Sequence, residues 1–242
     1  MTTMSANEWQ TYSELYGFLG NSLLKPMTQI PAVGLDPAFW EAFPGASAGC
    51  EGSAGGAGRG GGAAVVEGTV GGAAESSAEG VAACRRYAQE AASLAADAAV
   101  ERVAVEYTRL FVGPPSPAAP PWETMHRGGG AGESAPVGFG EATFEMRHLL
   151  REAGLAQCGD NNQYEDHLGI ELLYLCELCR RRAAGETASS DTTIAGFIER
   201  HPLSWLPSLR ASVEAAAPNG YFAGLLLLAQ DVLEAQVGQL LE

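Results

Sequence analysis

Residues 106–126 read EYTRLFVGPPSPAAPPWETMH. A helical pattern runs into Leu110-Phe111, stops at Gly113-Pro114, and crosses a proline-rich connection to Pro120, Pro121 and Trp122. Glycine just past the last periodic residue and proline beyond it are the stop signals of a helix. Pro120-Pro121 stiffens the backbone ahead of Trp122, which lowers the entropy cost of presenting an aromatic ring. Trp122 therefore has two readings: it fills core between helices, or it faces an apolar peptide.

Helical spacing continues on both sides of this stretch. Trp9, Tyr12, Tyr16, Leu19 and Leu23 recur three and four apart and predict a helix over 8–24. Asp36 and Pro37 open a short helix over 36–43 as N-cap and first residue. Cys84, Tyr87, Leu94, Val100, Val103, Tyr107 and Leu110-Phe111 predict one helix from about 80 to 111. Another fits 139–154, with Phe144, His148 and Leu149 on one side. The next fits about 163–184, where Asn162 and Glu165 have the form of a capping box and Arg180, Arg181 and Arg182 suit the other end of the dipole. Further helices fit 191–200, 204–216 and 220–241. No alternating strand and no internal repeat is found, so the expectation is an all-α fold, a single compact multi-helix domain over 1–242. Residues 45–80 are dominated by Gly, Ala and Ser and lack the apolar area to offset backbone ordering; they read as a flexible insertion.

The bulk numbers narrow the function. With 14 basic against 29 acidic residues the formal charge is −15, and Lys25 is the one lysine. Such a chain does not bind a phosphate backbone, so no nucleic-acid partner is expected. The N-terminus lacks the pattern of a signal peptide, and the run YFAGLLLLAQDVL at 221–233 is too short to span a bilayer, so no stable membrane insertion is expected. Five scattered cysteines read as reduced thiols, which places the chain in the cytoplasm.

Signals of catalysis and of metal or cofactor binding are weak, and none is assigned. Cys176 and Cys179 lie in mid-helix without a second ligand pair, and Cys179 continues the apolar row Leu168, Leu172, Leu175. Core packing is the reading they support, with a thiol or metal sensor as the alternative. The histidines at 126, 148, 167 and 201 show no metal-site spacing. The segment GDNNQYEDHLGIE at 159–171 gathers Asp160, Glu165, Asp166 and Glu171 without a basic residue. Acids at a helix start satisfy free amides, but His167 gains nothing there; His167 and Glu171, four apart, could pair on one face.

Three blocks together resemble the TorD/DmsD family of redox-enzyme maturation chaperones, relatives of the NarJ type. They are Glu106-Tyr107-x-x-Leu110-Phe111 with Gly113-Pro114 and Pro120-Pro121-Trp122-Glu123; Glu165-Asp166-His167-Leu168-Gly169-Ile170-Glu171; and the late stretch with Phe197, His201, Trp205 and Tyr221. Thr124 and His126 stand where the family commonly has Ser and Tyr. The resemblance implies a compact TorD-like helical domain without catalysis. Its expected partners are the twin-arginine leader and catalytic subunit of a molybdopterin oxidoreductase, whose export it delays until the cofactor is inserted. It implies leader-binding roles for Leu110, Phe111, Pro120, Pro121, Trp122, Asp166 and His167; Glu123 and Glu171 are added from their charge. A NarJ-like factor acting on the mature subunit, or a weak nucleotide-binding switch, are the alternatives. Monomer and domain-swapped dimer both remain open.

Overall fold

The computed structural model describes residues 4–43, 78–127, 140–156 and 162–242. The Gly-rich segment lies outside these residues except for its last three, which start a helix, and Asp160, Cys50 and Cys158 lie outside them too. The described residues form helices α1 (Ala6–Leu24), α2 (Pro37–Glu41), α3 (Ala78–Ala91), α4 (Ala96–Tyr107), α5 (Thr124–Arg127), α6 (Glu141–Glu152), α7 (Leu168–Ala183), α8 (Asp191–Arg200), α9 (Pro202–Ala216) and α10 (Tyr221–Leu241). There is no strand among them, and the all-α expectation holds. No helix among them is long and apolar enough to cross a membrane.

Helix α1 forms where the spacing predicts and is fixed at its start by a capping box between Ser5 and Glu8. Its buried face, Trp9, Tyr12, Tyr16, Leu19 and Leu23, lies against α7 and α10. Helices α1 and α7 meet at two glycines. A Cβ on Gly20 would sit 2.9 Å from the Gly169 carbonyl oxygen, and one on Gly169 would sit 2.8 Å from that of Gly20 and 2.6 Å from Leu24. Only bare backbone permits this approach, so the glycine of the Asp-His-Leu-Gly stretch sets how closely the two central helices pack.

Three helix readings need correction. The helix expected over 80–111 breaks at 92–95: the Ser93 hydroxyl returns to the Glu90 carbonyl, and Leu94 is left exposed. The break lets α3 pack along α10 while α4 turns toward the short turn at Met27–Gln29. In α6 the buried face is Ala142, Thr143, Met146 and Leu150, and Phe144 and His148 face outward. The face was misjudged because it contains Thr143, a polar residue buried for its hydrogen bond. Finally, α7 starts at Leu168: Asn162 and Glu165 form no capping box, and Glu165 instead pairs with Arg147 at 2.6 and 3.0 Å. The arginines at its far end do lie in the last turn, where Arg180 and Arg181 pair with Glu177 and Arg182 with Asp191.

Cys179 is buried, as the core reading expects, with its sulfur accepting from Gln236 Nε2. Burial pushes this thiol up to about 12, so no thiolate is available there at neutral pH.

Candidate functional site

The end of α4 decides how the proline-rich loop is held. Residues 108–112 form a wider π-type turn, closed by the Gly113 amide on the Thr108 carbonyl at 2.8 Å. Leu110 and Phe111 both lie inside it, with Phe111 edge-on to Tyr107 and Phe222. Gly113 is left-handed (φ 83°), and a Cβ there would also strike Ser116. The helix end leaves carbonyls without partners. The loop supplies them: the Ala118 amide donates to Arg109 O (3.2 Å) and the Ala119 amide to Leu110 O (2.8 Å).

Beyond this anchor the Pro-Trp stretch is fastened to the start of α7. The Leu168 amide donates to Pro121 O (3.0 Å), the Glu123 amide to Asp166 O (3.0 Å), and Trp122 and His167 form a β-bridge with their rings 5.9 Å apart, edge to face. Asp166 takes the Thr124 amide on Oδ2 and the Thr143 hydroxyl on Oδ1, both at 3.0 Å, joining loop, α5 and α6 at one carboxylate. His167 is the N-cap of α7: its Nδ1 accepts from the Gly169 amide at 3.0 Å. That nitrogen carries no proton, and burial lowers the imidazole to about 3, so the ring is neutral. A neutral imidazole can cap a helix start where a charged one could not, which is what His167 gains there. It does not pair with the Glu171 side chain.

Glu171 points instead to residues the sequence reading did not single out as site residues. Trp205 Nε1 donates to Glu171 Oε2 at 3.3 Å, and His201 Nδ1 donates to Glu123 Oε2 at 2.9 Å. Arg127 Nη1 lies 2.8 Å from Glu123 Oε1. Polar atoms of Glu123, Glu171 and His201 all lie within 4.8 Å of one another. Among the described residues this is the one place where His, Cys, Asp and Glu groups converge as a cation would require. Yet both Glu123 oxygens are engaged, one by a guanidinium that would repel a cation. His126 closes the layer by donating from Nε2 to Pro120 O (2.8 Å), meeting Ser208 Oγ at 2.9 Å and stacking on Trp205. The signal for His201 and Trp205 was present: His201-Pro202 marks a helix boundary, and Trp205 follows one turn later.

All nine candidate residues thus fall in one region, but not as acids lining an open hollow. Glu123, Asp166, His167 and Glu171 are each at most 1% exposed; Leu110, Phe111 and Pro121 are buried; Pro120 and Trp122 are half-buried. An accessible groove of about 500 Å³ lies on the outer side of the same helix end, lined by Ala104, Val105, Thr108, Arg109, Pro114 and Ala118, with Glu101 also on its wall.

The sequence model of the family described as "Nitrate reductase delta subunit" matches residues 74–211, more than half the chain and all nine candidate residues. The chain belongs to this family. It is a member of the TorD/NarJ group of redox-enzyme maturation chaperones. Curated relatives include a perchlorate reductase assembly chaperone protein of Dechloromonas aromatica (30% identical over 40% of this chain and 46% of the relative). A probable Tat proofreading chaperone DmsD of Haemophilus influenzae is 22% identical over 55% of this chain and 60% of its own length. A chaperone protein TorD of Shewanella pealeana is 25% identical over 57% and 61%. The chain thus spans about half to three fifths of the length of these relatives. No solved structure matches it at the same stringency. The Pro-Trp and Asp-His-Leu-Gly stretches both fall within the matched residues and are the two halves of the hydrogen-bonded seam described above.

Proposed function

We propose that this chain is a cytoplasmic, non-catalytic chaperone for the catalytic subunit of a molybdopterin-dependent oxidoreductase. It binds the subunit's twin-arginine leader, the apo subunit, or both, while the cofactor is inserted and export is delayed. The observation that carries this reading is the family match over residues 74–211, which spans the seam. The relatives named as assembly or proofreading chaperones support it.

In this reading the seam is the frame and the groove the seat. Asp166, His167, Glu123 and Glu171 hold the Pro-Trp loop, while Val105, Ala104 and Pro114 offer the apolar surface a leader's hydrophobic stretch needs. Val105 is 62% exposed and lines the groove beside Ala104 and Pro114. Covering about 300 Å² of apolar surface at about 25 cal/mol per Å² gives roughly 7 kcal/mol before ordering costs, which suits micromolar binding. The net charge of −15 attracts the leader's arginines over about a Debye length.

A second reading, in which the mature part of the subunit is the main client, is favoured by the burial of the four acidic and histidine seam residues, which leaves no carboxylate of the seam open to an arginine.

Calorimetric titration with a twin-arginine leader peptide tests the groove. Val105→Glu is expected to weaken binding about tenfold with an unchanged melting temperature, since a buried charge opposes apolar contact and the free side chain is exposed. Equal affinity of both proteins would remove the groove from the site.

A further inference from the structure

The Glu123–Glu171–His201 cluster helps to hold the Pro-Trp loop, and its electrostatics need an explanation of their own. Two carboxyl groups sit side by side, both fully buried. Glu123 has an ion pair with Arg127 on Oε1 and accepts a hydrogen bond from His201 on Oε2. Glu171 receives one long hydrogen bond from Trp205 on Oε2, and its Oε1 meets no donor among the described residues. The other charged or titratable groups facing Glu171 are Asp166, ahead of α7, which adds a second negative charge, His201, whose ring nitrogen lies within 4.8 Å, and Glu123 itself. Behind Trp205 lies His126, an imidazole lowered by burial. A buried carboxylate with a single weak donor and two acidic neighbours is strongly disfavoured.

Two species could resolve this, a cation or a proton. A cation would have to displace Arg127 or His201 from Glu123 and would lie against a guanidinium. A proton on Glu171 needs no rearrangement: it gives Oε1 a hydrogen to donate to Glu123, while Oε2 still accepts from Trp205.

We propose that Glu171 is a carboxylic acid in the folded protein, and that its proton, shared with Glu123, latches the Pro-Trp loop to α7 and to the α8–α9 junction. Loss of that proton places two buried carboxylates against each other and loosens the loop, which makes the seam sensitive to alkaline pH. The device is independent of what the chaperone binds. Burial and the neighbouring Glu123 raise the Glu171 carboxyl well above its ordinary 4.5, in agreement. Its sign follows from linkage. The folded state keeps a proton that the unfolded state has released, so stability falls as pH rises from the unfolded value until the folded group titrates. His167, lowered by burial, acts in the opposite sense below its unfolded value near 6.5, so the clean window lies above it.

Urea unfolding of wild type and Glu171→Gln between about pH 6.5 and 8.5 tests the proposal, because the amide keeps both hydrogen bonds and cannot ionise. The wild-type unfolding constant, relative to that of Glu171→Gln, is expected to rise about tenfold per pH unit, or until the proton leaves. Parallel pH profiles would overturn the proposal. If Glu171→Gln does not fold, the infrared carbonyl band of a protonated carboxyl in wild type at neutral pH decides the point: its presence is expected and its absence overturns it. A melting temperature raised by zinc or manganese, or lowered by a chelator, would replace the proton by a cation and also overturn it.

Discussion

Gly169→Val is expected to unfold the chain or to lower its stability by about 3 kcal/mol or more, measured by urea unfolding. A single Cβ at this position already falls 2.6 Å from Leu24 and 2.8 Å from the Gly20 carbonyl, and the backbone atom cannot move aside. Overpacking a tight contact costs about 1–3 kcal/mol when side chains can adjust, and more when they cannot. The substitution also strikes the cap, because the Gly169 amide is the donor to His167. Gly196, on α8 with open space around its Cβ position, supplies the control. Its change to alanine is expected to be neutral or mildly stabilising, as glycine inside a helix is unfavourable by roughly 1 kcal/mol.

The second large effect is expected at Asp166. Replacing it by alanine removes the acceptor of a buried backbone amide and of the buried Thr143 hydroxyl together. Leaving buried donors unpaired costs about 1–3 kcal/mol each, so a loss of roughly 2–4 kcal/mol is expected by urea unfolding. Asp166→Asn keeps one acceptor oxygen and should fall between. A binding defect in Asp166→Ala would then reflect a displaced Pro-Trp loop. Amide hydrogen exchange separates the two roles: faster exchange at Thr124 without client marks the frame, while wild-type exchange together with lost binding would mark a direct contact.

The parts of this fold that were legible in the sequence are those governed by spacing. Trp9 to Leu23 announced α1 because one face of that helix is apolar and buried. Gly113-Pro114 announced the end of the turn that follows α4 because a residue with positive φ is needed there. The cap of α7 was not legible, since a neutral histidine accepting an amide hydrogen depends on burial that only the tertiary fold provides. The buried face of α6 was misplaced for a related reason: Thr143 faces inward to reach Asp166, and a hydroxyl reads as a surface residue. Proximity within the candidate site was legible through its motifs, whereas its orientation was not. Acids such as Asp166 and Glu171 suggest an exposed charged wall, but here one serves as an acceptor for backbone and hydroxyl donors and the other as a partner of Glu123 and Trp205. The Glu123–His201 contact joins residues 78 positions apart, and no local pattern encodes it.

Passing the apo catalytic subunit of a molybdoenzyme and its cofactor-loaded form over the immobilised protein decides whether the chain holds the immature subunit. The apo subunit is expected to be retained and the loaded form to pass through. Retention of neither form, with or without the leader attached, would contradict that role.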